Sequence, residues 1–461
     1  MDFNQDEFLA DEIVSLYSNK KYSEIKEKLN QLNPADIAYT LEQLDNATRG
    51  IIFRLLGKEN AAEAFVEFDN DTQESLIHTL SDSELQEVLD ELYLDDTVDI
   101  IEEMPANVVK RILSNTDKET RRVINSLLRY PEDSAGSIMT TEFVDLKRDM
   151  TVEDAIKRIK RTAVDKETVY TCYVTDKFRK ILGVTTVKEL LIHDDDDMIE
   201  DFMEKNVILF HTLDDREMVA NQFDKYNFLA MPVCDMEERL VGIITVDDAM
   251  DVLREESTED IQRMAAIVPN DKPYLKTGAF ETFKKRMPWL LILMISATFT
   301  QLIITSFEDK LKAVVVLTSF IPMLTGTGGN SSSQAASTII RSLSLGEVRF
   351  KDVFKIVKKE LMVGLLCGCS LAAVNFVKML LIDRLAFQNE AVTITVSLAV
   401  SLTLIVEVMI AKIIGSVLPI LVKKIGFDPA VVANPFITTI LDAISLLIFF
   451  QISTAVIPQL R

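Results

Sequence analysis

Histidine, cysteine and, over its first part, basic charge are all scarce in this chain of 461 residues, and each scarcity closes off a class of function. The three histidines, His78, His193 and His211, all precede the apolar last part, so no HExxH pair lies there and zinc-dependent proteolysis within a membrane is excluded. Four cysteines give no disulfide framework: Cys172 and Cys234 sit in short β-like runs, and the CGC at 367–369 lacks metal-site spacing. Residues 1–285 hold 62 acidic against 34 basic side chains, a net of −28. Nucleic acid, whose phosphates need Lys and Arg, is thereby excluded as a partner. Such a surface suits divalent cations, or serves solubility alone. The start, MDFNQDEFLADE, has no apolar core, so no cleavable signal peptide is expected.

What the chain does have is apolar length. Residues 286–461 carry only 10 acidic and 15 basic side chains. Five stretches there approach or exceed the ~20 residues a bilayer crossing needs: 288–306, 313–340, 354–382, 392–422 and 435–457. The second contains IPMLTGTGGNSSSQ (321–334), and its glycines, proline and polar run predict a broken helix. Hydrocarbon offers no partner to freed backbone groups, so the stretch is expected to line water or be covered by protein. Eleven basic residues fall in the connections on one side and five on the other. By the positive-inside rule the acidic part is cytoplasmic and the C-terminus is outside, in the plasma membrane.

Charges within the spans carry the chemistry. Glu407 and Lys412, five residues apart, are expected to pair loosely or to snorkel to an interface. Lys359 and Glu360 read as interfacial. Asp442, in ITTILDAISLLIFF, has apolar neighbours and no basic partner in its own span, which points to ion contact.

Before the spans, residues 1–130 read as an all-α, solenoid-like domain. Apolar residues recur at three and four, and turn or cap signals stand at NPAD (33–36), SDSE (81–84) and MPAN (104–107), with a weak repeat near 48 residues. Residues 131–253 contain a clearer duplication. SIMTTEFVDLKRDMTVEDAIKRI (137–159) matches DFMEKNVILFHTLDDREMVANQF (201–223), and TCYVTDKFRKILGVTTVKEL (171–190) matches AMPVCDMEERLVGIITVDDA (230–249). Each copy reads strand, helix, strand, turn, strand, helix. The pair resembles tandem CBS domains, an α/β regulatory module, with GIITVDD (242–248) as the closing motif. That resemblance makes ATP a candidate ligand, its ribose held at Thr245 and Asp248; the first copy has Thr186 and Glu189 in their place. Residues 254–285 are expected to form a long connecting helix. Its Glu255, Glu256, Glu259 and Asp260 repel one another unless neutralised by solvent or by a hard cation such as Mg²⁺.

Taken together, GTGGNSSSQ (326–334), EESTEDIQRMAA (255–266) and DPAVVANPFITTILDAISLLIFF (428–450) resemble the MgtE family of magnesium channels and transporters. Ser332 stands where that family usually has glycine. The resemblance implies a non-enzymatic multidomain membrane protein with five helices in a transmembrane domain from 286 to 461. It further implies a homodimer in membrane lipid whose interface holds the ion path. Asp442 would be the pore carboxylate, lined also by Asn434, Thr438, Asn330, Gly326, Gly328 and Gly329. Cytoplasmic Mg²⁺ would bridge a sensing layer of Glu256, Glu259, Asp260 and Asp428, with Asp224, Asp247, Asp251, Asp90 and Asp95, and close the pore with the connecting helix as plug. Two alternatives keep the fold: a path for Co²⁺, Ni²⁺ or Mn²⁺, against which all-oxygen ligation leans, and a carrier coupled to H⁺ or Na⁺. An anion channel is disfavoured by an acidic pore residue.

Overall fold

Capping side chains punctuate the first 130 residues into short helices. The computed structural model describes residues 3–270, 272, 274–431 and 434–460. Ten helices come first: α1 (Phe3–Ser18), α2 (Tyr22–Leu29), α3 (Pro34–Glu42), α4 (Asn46–Phe53), α5 (Lys58–Val66), α6 (Asn70–Thr79), α7 (Asp82–Leu89), α8 (Leu94–Glu103), α9 (Ala106–Asn115) and α10 (Lys118–Leu127). Asp45, Asp69 and Asp117 cap α4, α6 and α10, and Ser81 with Glu84 forms the capping box of α7. Each such cap contributes ~1 kcal/mol. The odd-numbered helices α1 to α9 stack in succession, burying Ile13, Leu41, Phe65 and Leu85 between them and their partners, as in a solenoid of helical hairpins.

Two three-stranded sheets follow. β1 (Asp145–Lys147) runs parallel to β2 (Thr171–Thr175), which pairs antiparallel with β3 (Ile181–Thr186); β4 (Phe210–His211), β5 (Ala230–Cys234) and β6 (Leu240–Thr245) repeat the order. Helices α11 (Val152–Thr162), α12 (Val187–Ile192), α13 (Ile199–Phe202) and α14 (Arg216–Tyr226) complete the repeats. The duplication is visible as symmetry. Thr140 bridges Ile243, and the equivalent pair, Glu204 and Val184, bridges in the same way. One hydrophobic core continues from the helical domain into the second repeat through Met139, Phe210, Val219 and Ile244. The first repeat has a core of its own, around Leu146, Val174 and Leu190.

The chain forms two compact units, divided between Leu253 and Arg254. Helix α15 (Val246–Met264) begins as the last helix of the second repeat and ends well short of the expected 285. Ile267 N–H closes back onto Gln262 O, Ala266 is left-handed at φ 56°, and Pro269 follows, so the helix stops. Residues from Ala279 on belong instead to the first span.

Among the described residues, four helices are long and apolar enough to cross a bilayer: Ala279–Ser306 (α16), Phe350–Ala386, Ile394–Lys424 and Asn434–Val456. Between the first two lie α17 (Glu308–Ala313) and α18 (Ile321–Ser344). The second of the four is α19 (Val353–Lys378) with a 3₁₀ start and a π-helical end; the others are α20 (Ile394–Lys424) and α21 (Asn434–Val456). The remaining expected crossing, α18, has 24 residues and so the length, but it is polar and packs against α20 and α21.

The expected break inside GTGGNSSSQ is not found. α18 is continuous from Ile321 to Ser344, and the interruption falls earlier, in a 3₁₀ stretch over Val315–Phe320. The glycines serve close approach instead. A Cβ on Gly328 would stand 2.5 Å from Glu407 Oε1, and one on Gly415 of α20 would strike the backbone oxygen of Ser332. Ser332, fully buried, turns its hydroxyl to Gly329 O at 2.8 Å and fits the regular helix.

Candidate functional site

Helix periodicity sets the membrane site. Asn434, Thr438 and Asp442 are four apart on α21 and share one face. Asn434 donates to Ser337 of α18 at 3.3 Å, while its own Oδ1 is buried without a hydrogen-bond partner among the described residues. Thr438 turns its hydroxyl to Pro435 O (2.8 Å) and its methyl towards Gly329. Asp442 is half-buried and makes no hydrogen bond among the described residues. Gly326 and Asn330 are exposed on α18, and Gly328 and Gly329 are buried. Thus α18 and α21 bring amide, hydroxyl and carboxylate oxygens to one seam, a donor set suited to a hard cation carrying part of its water.

Glu407 and Lys412 neither snorkel nor pair. Glu407 is 1% exposed, lies against Gly328 and Ser445, and has both carboxylate oxygens without hydrogen bonds; Lys412, 6% exposed, donates to Gln334 of α18 at 3.0 Å. Close packing of α18 on α20, permitted by the glycines, leaves these side chains no route to an interface.

In the connecting layer, Arg263 pairs with both Glu259 and Asp428. A guanidinium thus already neutralises two of the expected cation ligands, and it lies one turn beyond Glu259. Glu256 is half-buried and Asp260 likewise, on the same helix.

A third site lies where α8 meets both repeats. Asp95 in the first turn of α8, Glu167 in the loop before β2 and Asp248 in the first turn of α15 each offer a carboxylate oxygen, all within 4.8 Å of one another. Asp95 Oδ1 and Glu167 Oε2 are buried without hydrogen-bond partners among the described residues. Asp248 accepts from the Thr245 hydroxyl at 2.5 Å. Burial, then the neighbouring carboxylates, pushes Asp95 well above the usual range; burial likewise raises Asp248 and Glu167, and Asp96 to about 7. Three carboxyls, two with orphaned oxygens, are a donor set that a divalent cation fits. Asp90, Asp224, Asp247 and Asp251 are exposed and lie outside this cluster.

Comparison with known proteins fits this arrangement. Residues 321–452 match the MgtE model, a divalent cation transporter; 32–133 match the MgtE intracellular N domain; 135–195 and 199–255 match CBS domains. The magnesium transporter MgtE of Thermus thermophilus is 35% identical over 433 residues, 93% of this chain and 94% of that protein. This chain belongs to the MgtE family. The Bacillus subtilis magnesium transporter MgtE is 29% identical, covering 97% of each chain. Among solved structures, the soluble part of a magnesium transporter aligns with TM-score 0.51 at 31% identity, over 55% of this chain and 99% of that one. The cytosolic domain of the Mg²⁺ channel MgtE in complex with ATP aligns with TM-score 0.51 at 34% identity, over 53% and 99%. The named relatives are transporters, and this member joins an N domain of the MgtE intracellular type to helices long and apolar enough to cross a membrane.

Of the residues singled out in the sequence, Asn434, Thr438 and Asp442 fall on one face of α21, and Asp95 and Asp248 come together in the acidic cluster. Glu167, Ser337 and Arg263, which the structure places beside singled-out residues, were not singled out themselves. Glu167 sits in a loop with no periodicity to mark it. Arg263 was detectable, four residues after Glu259 on a helix.

Proposed function

We propose that the chain carries Mg²⁺ into the cell as a homodimer in the plasma membrane, its N-terminal domains cytoplasmic and its C-terminus outside. Asp442, unpaired on an apolar helix and in line with Asn434 and Thr438, is the observation that carries this reading. Two such carboxylates facing each other across a dimer axis would favour divalent over monovalent ions. The relatives named magnesium transporter support the choice of ion.

Cytoplasmic Mg²⁺ closes the path in this reading. Asp95, Glu167 and Asp248 hold one regulatory ion between the helical domain and the CBS pair, and Glu256, Asp260 and the Arg263-linked Glu259 and Asp428 form the layer near the membrane. ATP is a further ligand, with Thr245 and Asp248 facing its ribose; the ATP-bound relative supports this.

The deciding measurement is Mg²⁺ flux into proteoliposomes for the wild type and Asp442→Ala. Flux down the gradient in the wild type, with flux or divalent selectivity lost in the variant, is expected. Normal conduction by the variant would place the ion path elsewhere.

A further inference from the structure

A cavity of about 380 Å³ lies between the end of α15 and the start of α16. Its polar lining includes Thr258, Gln262, Asn270, Thr282, Lys285 and Arg286. With Lys272 the lining offers, among the described residues, three cations and no carboxylate, although the first 285 residues carry a net of −28. Such a local reversal of sign selects an anion.

Its place along the chain says which anion. The apolar run of α16 begins at Trp289, so Lys285 and Arg286 stand about one turn before the hydrocarbon, at the depth of phospholipid headgroups. The same stretch exposes Tyr274 (75%), Leu275 (94%), Phe280 (70%) and Phe283 (53%). Phe280 and Phe283 stack at 6.0 Å, and Lys284 Nζ lies 4.9 Å from the Phe280 ring. Aromatic rings interleaved with basic side chains just before a span are the composition of an interfacial anchor.

The cavity is built, not incidental. Gln262 and Asn270 bond reciprocally, Gln262 Nε2 to Asn270 O at 3.1 Å and Asn270 N–H to Gln262 Oε1 at 2.7 Å. Lys285 Nζ donates to Pro269 O (2.9 Å) and to Asn270 Oδ1, which holds the ammonium at the cavity wall with one donor left over. Arg286, exposed, makes no hydrogen bond or ion pair among the described residues.

We propose that this cavity binds the phosphate of an anionic phospholipid headgroup, with Arg286 and Lys285 on the phosphate and the hydroxyls of Thr258 and Thr282 completing its hydrogen bonds. Because Thr258 and Gln262 belong to α15 and Thr282, Lys285 and Arg286 to α16, a bound headgroup ties the connecting helix to the first span.

The test uses the purified full-length protein, exposed to mixed vesicles of equal parts phosphatidylglycerol and phosphatidylcholine and examined by native mass spectrometry for retained lipid. Wild type should retain phosphatidylglycerol preferentially. Arg286→Gln should retain about fivefold less and Lys285→Gln with Arg286→Gln less still, since each basic group near an anionic headgroup contributes comparably. Arg286 has no partner to lose, so unchanged elution and melting of the single variant keep the comparison valid if the double variant misfolds. Equal retention of both lipids by the wild type, or undiminished retention by Arg286→Gln, would overturn the proposal. Displacement of the lipid by inorganic phosphate at equal concentration would also overturn it, by identifying a site for the free ion.

Discussion

At the scale of single residues, packing and charge make opposite demands around α18. Gly328 leaves room for the Glu407 carboxyl and the Ser445 hydroxyl, so Gly328→Ala pushes a methyl into a filled space. Overpacking of this kind costs about 1–3 kcal/mol, and a lowered melting temperature of the detergent-solubilised protein, with reduced flux, is expected. A melt indistinguishable from wild type would show that the seam yields. The buried acids of the cytoplasmic unit make a prediction of their own sign. Asp96, raised from 3.8 to about 7 chiefly by burial, and its neighbours Asp95, Asp248 and Glu167 hold protons in the folded state that an unfolded chain would release. Without divalent cations, the stability these raised acids contribute is therefore fully present below 3.8 and is lost as pH rises through about 7. Mg²⁺ should flatten that dependence in pulse proteolysis of the full-length protein. In Asp95→Asn the flattening should require at least about tenfold more Mg²⁺, and an unchanged requirement would remove Asp95 from the site. What was legible here followed from spacing: Asn434, Thr438 and Asp442 are one helical face, readable at intervals of four. Glu167 and the Glu407–Gly328 contact depend on residues distant in sequence, which periodicity does not report.

At the scale of elements, the sequence misled where local propensity and packing disagree. Glycines and serines in GTGGNSSSQ are poor helix formers, and on propensity alone a break is the natural reading. The helix persists because α20 and α21 pack against it and those small residues admit their backbones. The connecting helix was misjudged in the other direction: its carboxylate run continues a helical pattern, but the left-handed Ala266 and Pro269 end it. Within that helix Arg263 ties Glu259 to Asp428. Arg263→Gln leaves the two carboxylates facing each other without a cation. Protease cleavage in the 265–278 stretch should then rise several-fold in the absence of Mg²⁺ and return to the wild-type rate when Mg²⁺ is added. Cleavage that is raised equally in both conditions would mean that the guanidinium, and no metal ion, holds this layer together.

At the scale of the whole molecule, a net of −28 over residues 1–285 can act in two ways, and they are separable. Diffuse repulsion between acidic surfaces is screened by any salt, over a length of about 8 Å at physiological ionic strength. A carboxylate cluster such as Asp95, Glu167 and Asp248, with ligand atoms within 4.8 Å, needs a cation small and highly charged enough to sit among the oxygens. If gating works through built sites, Mg²⁺ should protect the cytoplasmic part of the full-length protein from proteolysis where NaCl of equal ionic strength does not. Replacing Glu167 by Gln should weaken that protection while leaving the response to NaCl untouched, because one charge in 62 scarcely alters the general field. Protection by NaCl matching that of Mg²⁺ would mean that the acidic surface works by bulk electrostatics, and that the cluster beneath α8 is held by shared protons instead of a metal ion.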